Sequence, residues 1–217
     1  MPRIALIHAL RHSPPPIEAA FRELWPEPRL MNLLDDSLSA DLARDGTITR
    51  AMTQRFLDLA GYARRTGADA ILFTCSAFGP CIDAVKAANP NIPVLKPNEA
   101  MIEQAATLGG RIGLLATFEP TLRSMPGEFP DHVVVKPTLA AAALTALDGG
   151  DRDEHDRLAT NAAAELANCD VIALAQFSLS SAAPLIAARY GRPVLTTPHS
   201  AVRKLRSLLV DPGGNAG

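Results

Sequence analysis

Cysteine is scarce in this chain, and its scarcity argues against two architectures. There are three cysteines in 217 residues, an odd number with no Cys-x-x-Cys pair. That pattern speaks against a disulfide framework and a structural zinc site, and it fits a reducing compartment. An excess of one charge is also missing. Lys and Arg number 21 against 23 Asp and Glu, a formal net charge of −2, with the two signs interspersed. Such a balance leaves no electrostatic footprint for a phosphate backbone or an anionic membrane surface, so no nucleic-acid or membrane partner is expected. No apolar run approaches the roughly 20 residues of a membrane span. Met1-Pro2-Arg3-Ile4 enters a strand-like segment without a signal-peptide pattern, which predicts a cytoplasmic protein.

Cofactor signatures are lacking as well. No Walker motif is present, and Gly109-Gly110-Arg111-Ile112-Gly113 lies before a strand instead of between a strand and a helix, so it is not a dinucleotide fingerprint. His155 sits within Asp151-Arg152-Asp153-Glu154-His155-Asp156-Arg157, which reads as the solvated start of a helix without metal-ligand spacing. Neither a cofactor nor a metal is expected.

What the chain does contain is a repeat. Asp69-Ala70-Ile71-Leu72-Phe73-Thr74-Cys75 returns as Asp170-Val171-Ile172-Ala173-Leu174-Ala175-Gln176: an Asp, a short apolar run with the look of a fully buried strand, and a polar residue where the strand should stop. Arg3-Ile4-Ala5-Leu6-Ile7-His8 likewise matches Arg111-Ile112-Gly113-Leu114-Leu115-Ala116, and Pro93-Val94-Leu95-Lys96 matches Pro193-Val194-Leu195-Thr196. Three matches in one order predict two similar halves. Strand-like runs fall at about 3–9, 29–33, 69–74, 93–96, 111–116, 132–135, 171–175 and 193–196. Helical periodicity is clearest over 48–66, 153–168 and 201–209. Pro14-Pro15-Pro16 reads as a loop feeding a helix over 17–25, and Asp211-Pro212-Gly213-Gly214 as a frayed tail. Alternating strand and helix predict an α/β fold of two pseudo-symmetric lobes, each an open parallel sheet flanked by helices. The lobes are expected at 1–97 with 197–217, and at 98–196.

Ligands of such sheets collect at the carboxyl ends of strands. His8, Cys75 and Lys96 cap strands of the first half; Thr117, Gln176 and Thr196 cap those of the second. Taken singly, each needs no more explanation than contact with water. In matching positions of a repeat they predict the lining of one cleft. Cys75 is the leading candidate for chemistry, because a helix starting just after it would aim free N–H groups at the sulfur and favour thiolate. A helix N-terminus returns roughly 0.3 to 2 kcal/mol, against the about 2 kcal/mol that deprotonating a thiol of pKa near 8.5 costs at neutral pH. His8 could supply the remaining push by hydrogen bonding to the thiol. Cys81 and Cys169 read as packing residues. Ser76, Thr117, Thr121 and Ser178 offer hydroxyls near predicted helix starts, where an anion is favoured. Phe78, Phe118 and Phe177 would shape the pocket.

These residues carry a resemblance. Phe73-Thr74-Cys75-Ser76-Ala77, Gly113-Leu114-Leu115-Ala116-Thr117 and Ala173-Leu174-Ala175-Gln176-Phe177-Ser178 resemble, in order, motifs of the aspartate/glutamate racemase superfamily, which includes hydantoin racemases, maleate isomerases and arylmalonate decarboxylases. The resemblance implies a cofactor-independent enzyme with one catalytic cysteine per lobe and a threonine, here Thr117, that holds a substrate carboxylate. It implies catalytic roles for Cys75, His8 and Gln176, and a substrate-binding set of Ser76, Ala77, Thr117, Phe118, Thr121, Phe177 and Ser178. His8 stands where glutamate racemases carry an acidic residue. The chain departs from the family at Gln176, which replaces the second cysteine and cannot serve as acid or base near neutral pH. Ser76-Ala77 also stands in place of Asn-Thr. The expected function is a racemase or isomerase acting alpha to a carboxylate. The alternatives are decarboxylation of a malonate-type acid with one cysteine proton donor, or catalytically silent binding of small carboxylates. A small carboxylate is the expected ligand, and a homo-oligomer is compatible with the sequence.

Overall fold

The computed structural model describes residues 1–210; the predicted tail from Asp211 lies outside them. The chain divides into two compact units, Met1–Pro97 with the described residues from Ala201, and Asn98–Ser200. The first holds strands β1 (Arg3–His8), β2 (Arg29–Leu34), β3 (Ala70–Phe73) and β4 (Val94–Leu95). The second holds β5 (Arg111–Ala116), β6 (Val134–Leu139), β7 (Val171–Leu174) and β8 (Val194–Thr196). Each set forms a four-stranded parallel sheet, in the orders β2-β1-β3-β4 and β6-β5-β7-β8. The repeat seen in the sequence is thus a repeat of topology.

Helices α1 (Pro14–Leu24), α2 (Ser37–Asp45), α3 (Arg50–Arg65) and α4 (Gly79–Ala88) cover the first sheet. The second unit carries α5 (Glu99–Leu108), α6 (Glu119–Ser124), α7 (Ala141–Asp148), α8 (Arg152–Ala162) and α9 (Ala183–Tyr190), while α10 (Thr197–Val210) runs from the second unit's last residues into the first. Among the described residues no helix is long and apolar enough to cross a membrane.

Buried side chains explain the unbroken apolar strands. Along β5, Ile112, Leu114 and Ala116 join one core cluster and Leu115 the other; along β7, Val171 and Ala173 divide from Ile172 and Leu174 in the same way. Successive strand residues point to opposite faces, so helices on both faces require apolar residues at every position.

The repeated aspartates have a structural role. Asp69 Oδ2 accepts the Arg3 N–H at 2.8 Å, and Asp170 Oδ2 accepts the Arg111 N–H at the same 2.8 Å. Each aspartate's own N–H is returned to the carbonyl of that arginine at 2.8 Å. A two-way clamp therefore opens the first strand of each unit. Gly110 fits the second clamp: its φ is +79°, and a Cβ there would collide with the Asp170 carboxylate. The glycine pair that mimics a nucleotide fingerprint serves strand entry.

Several boundaries differ from expectation. Pro14 to Pro16 lie inside α1, since a helix's first N–H groups need no acceptor and proline's φ suits the first turn. β6 runs on through Pro137 to Leu139, tolerated because β6 is the edge strand and its outer side needs no ladder donor. α8 ends at Ala162 and gives way to a 3-10 segment, Ala163–Leu166. α10 starts at Thr197, four residues before the predicted Ala201. The Thr196 hydroxyl sits 3.4 Å from the His199 N–H and 2.7 Å from His199 Nδ1, which places His199 in the first turn of a capped helix.

Candidate active site

Cys75 follows β3 by two residues, in extended backbone at the head of a 3-10 turn, Ser76–Phe78. Within the turn the Ala77 N–H acts to lower the pKa of the thiol. α4 opens only at Gly79, too late for its first N–H groups to gather at the thiol, and the predicted thiolate is not favoured. Burial pushes the Cys75 thiol above its ordinary range, and the Ala77 bond offsets this less. The residue is partly buried and packs on the first unit's core. Phe73 and Phe78, on either side of it, pack against Phe56 of α3, stacked and tilted, at centroid distances of 5.2 and 5.0 Å, each such pair stabilising by about 0.5–1.5 kcal/mol beyond burial. Phe78 is fully buried in this core rather than shaping a pocket.

His8 does not bond Cys75. Pairing of Ile7 with Phe73 across β1 and β3 puts His8 beside Thr74, and side-chain alternation sends Cys75 to the other face. His8 Nδ1 lies 2.8 Å from Thr74 Oγ1 and Nε2 lies 2.9 Å from Asn32 Oδ1, while Asn32 Nδ2 donates to Glu18 Oε1 at 2.7 Å. With its amino group given to Glu18, Asn32 presents its oxygen to the imidazole. The network therefore assigns the proton to Nε2, leaving Nδ1 to accept the Thr74 hydroxyl hydrogen. Burial lowers the His8 pKa, against smaller opposing effects of the Asn32 bond and the Glu18 charge. His8 is a buried neutral ring that orients Thr74, one residue from the thiol.

In the second unit the same construction ends differently. Gln176 follows β7 by two residues, again in extended backbone ahead of a 3-10 segment, Phe177–Ala182. Its Oε1 accepts both the Thr117 N–H at 2.6 Å and the Thr117 hydroxyl at 2.9 Å. The donors that the resemblance assigned to a substrate carboxylate are thus given to an amide oxygen of the same unit. Thr117 is buried. Beyond it, Phe118 is 45% exposed, and Thr121 is buried with its N–H on the Phe118 carbonyl at 3.1 Å. Phe177 is buried and Ser178 half-buried; in the first unit Ser76 is half-buried and Ala77 exposed. The first unit brings together Cys75, Ser76 and Ala77, with His8 linked through Thr74. The second gathers Gln176, Thr117 and the residues following each.

Other candidates resolve as structure. Lys96 pairs with Asp83 of α4 at 2.8 Å. His155 is not solvated but buried, its Nδ1 2.7 Å from Asp156 Oδ1, which also receives the Ser181 hydroxyl at 2.6 Å. Cys81 and Cys169 are buried. Asn32 and Glu18 escaped the sequence reading. Their signal was the parallel pairing of Leu6 with Asn32, which sets Asn32 on the His8 face of the sheet. Among the described residues no group of three or more His, Cys, Asp or Glu is arranged to hold a metal ion.

Solved structures of similar fold include glutamate racemase from Francisella tularensis subsp. tularensis SCHU S4 in complex with D-glutamate, with a TM-score of 0.71 at 17% identity over 97% of this chain and 82% of that one. Allantoin racemase from Klebsiella pneumoniae gives 0.67 at 19% identity over 98% and 89%. A liganded arylmalonate decarboxylase with a glycine changed to cysteine and a cysteine changed to serine gives 0.66 at 18% over 100% and 94%. At these identities the likeness is one of fold. No curated protein matches the chain. Residues 7–205 match the family described as Asp/Glu/Hydantoin racemase, and with the duplicated parallel sheets this places the chain in the Asp/Glu/hydantoin racemase family.

Proposed function

We propose that this protein is a cofactor-independent enzyme that transfers a proton at the carbon alpha to a carboxylate, with Cys75 as its one thiol acid. The reaction supported best is decarboxylation of a malonate-type acid. The observation that carries this reading is the inequality of two equivalent strand ends: a thiol at Cys75 and an anchored amide at Gln176. Two-base racemisation needs a base to remove the α-proton and an acid to return one, and an amide is neither near neutral pH. Decarboxylation needs only the acid. The bond to the leaving carboxylate breaks, its electron pair stays on the α-carbon as an enolate, carbon dioxide departs, and the Cys75 S–H supplies the proton. The thiolate then recovers a proton from water. A thiol that burial keeps protonated suits this step. An arylmalonate decarboxylase is among the solved proteins whose fold this chain shares. Racemisation remains the second reading because of the family match.

The test is carbon dioxide release from a panel of α-substituted malonates, alongside racemisation of single enantiomers of the matching monoacids. Cys75→Ala is expected to lower release by about 10²–10⁴-fold, the usual contribution of a positioned acid, with an unchanged circular dichroism spectrum. Fast two-way racemisation by the wild type, without carbon dioxide release, would overturn the decarboxylase reading.

A further inference from the structure

The second unit's departure from the family is built into its hydrogen bonding. Thr117, just past β5, and Gln176, just past β7, fall opposite one another where the register is continued two residues beyond the Leu115–Leu174 pair. The Thr117 N–H and O–H converge on one oxygen, Gln176 Oε1, at 2.6 and 2.9 Å. Two donors on one atom fix which end of the amide faces Thr117, because the amino end could accept neither. Nε2 is the end turned away from the Thr117 donors. An amide whose oxygen accepts two hydrogen bonds is polarised, and its N–H groups become better donors.

We propose that Gln176 is a specificity-determining residue that carries the Thr117 donor pair outward to the ligand: its Nε2 amino group holds a carboxylate oxygen of the substrate, in place of the direct Thr117 contact that the family resemblance implied. The proposal rests on the carboxylate-substrate reading above and adds to it the group that recognises that carboxylate. It also accounts for a glutamine at a position where a thiol is lost. Any small residue would remove the acid, but an amide of this length satisfies Thr117 and still presents a donor.

Titration of ¹⁵N-labelled protein with malonate reads this without turnover. The Gln176 side-chain NH₂ resonances are expected to move on binding, while the Thr117 amide keeps the shift set by its bond to Oε1. Gln176→Glu supplies the contrast. It retains an oxygen for both Thr117 donors, so its melting temperature should stay near that of the wild type, but its other end becomes a charged acceptor. Malonate binding should weaken at least about tenfold, as like charges repel. A large Thr117 shift with loss of its Gln176 bond would show that the ligand displaces the amide and would overturn the proposal. Equal malonate affinity in Gln176→Glu, or no wild-type response at tens of millimolar, would overturn it too; if Gln176→Glu does not fold, the wild-type titration alone decides. Failure of the decarboxylase reading shows itself elsewhere, in racemisation of single enantiomers by the wild type without carbon dioxide release.

Discussion

Burial decides what Cys75 can do. A thiol held above its ordinary value keeps its proton where an exposed cysteine would be half ionised, near pH 8.5. Alkylation by iodoacetamide requires the thiolate, so modification of Cys75 should be slow at pH 7 and reach half its limiting rate above about pH 8.5. Peptide mass spectrometry across a pH series measures this, and a midpoint below that value would contradict the burial argument. His8 makes the complementary case. An unfolded histidine titrates near pH 6.5, and burial places the folded value lower. The unfolded chain therefore takes up this proton first as the pH falls. The stability involved is complete above about pH 6.5 and is lost as the pH falls toward and through the folded value. Urea denaturation at pH 7.5 and pH 5.5 should show a smaller loss for His8→Gln than for the wild type; equal losses would remove His8 from the account.

Strand entry is where element-scale stability concentrates. The Asp69 and Asp170 clamps each tie the first strand of a unit to its neighbour, and Gly110 is the residue that lets the chain pass the second carboxylate. Gly110→Ala must both adopt a positive φ and push a Cβ against Asp170, whereas Gly46→Ala meets only the backbone cost, with nothing within 4 Å of its Cβ. Gly46→Ala should cost about 1–2 kcal/mol and Gly110→Ala clearly more. Part of the Gly110 cost should vanish in an Asp170→Ala background, as contacting residues couple by about 0.5–3 kcal/mol. Urea midpoints of the four proteins in that cycle measure the coupling, and strict additivity would mean that the carboxylate contact is relieved at no cost. At this scale the sequence was most legible. Buried parallel strands are written as continuous apolar runs, and this makes the inner strands β1, β3, β5 and β7 the clearest, because their burial leaves no polar alternation. β6 lies at Val134–Leu139 rather than the expected 132–135, and the Pro137 within it is permitted by its place at a sheet edge.

At the scale of the whole molecule, the duplication announced the fold and pointed to the strand ends that carry the candidate site. The wiring of that site was not legible. His8 with Thr74, and Gln176 with Thr117, are joined across 66 and 59 residues, and only the strand register brings each pair together. A one-residue difference in register decided that His8 meets Thr74 instead of Cys75. The two units share a topology but carry different residues, Cys75 and Gln176, after corresponding strands, and under the proposed function that difference has a stereochemical consequence. If Cys75 is the only acid, the planar enolate left by decarboxylation receives its proton from one face. In deuterium oxide the S–H exchanges with solvent, so the monoacid formed should carry one deuterium at the α-carbon and be a single enantiomer. Returned to the enzyme in ordinary water, that product should keep both its label and its configuration, because a protonated thiol is a poor base and the amide at Gln176 is none. Chiral chromatography with mass detection follows label and configuration together. A racemic labelled product, or washout of deuterium from the isolated enantiomer at a rate comparable with decarboxylation, would require a second proton-transferring group and would return the protein to two-base racemase chemistry.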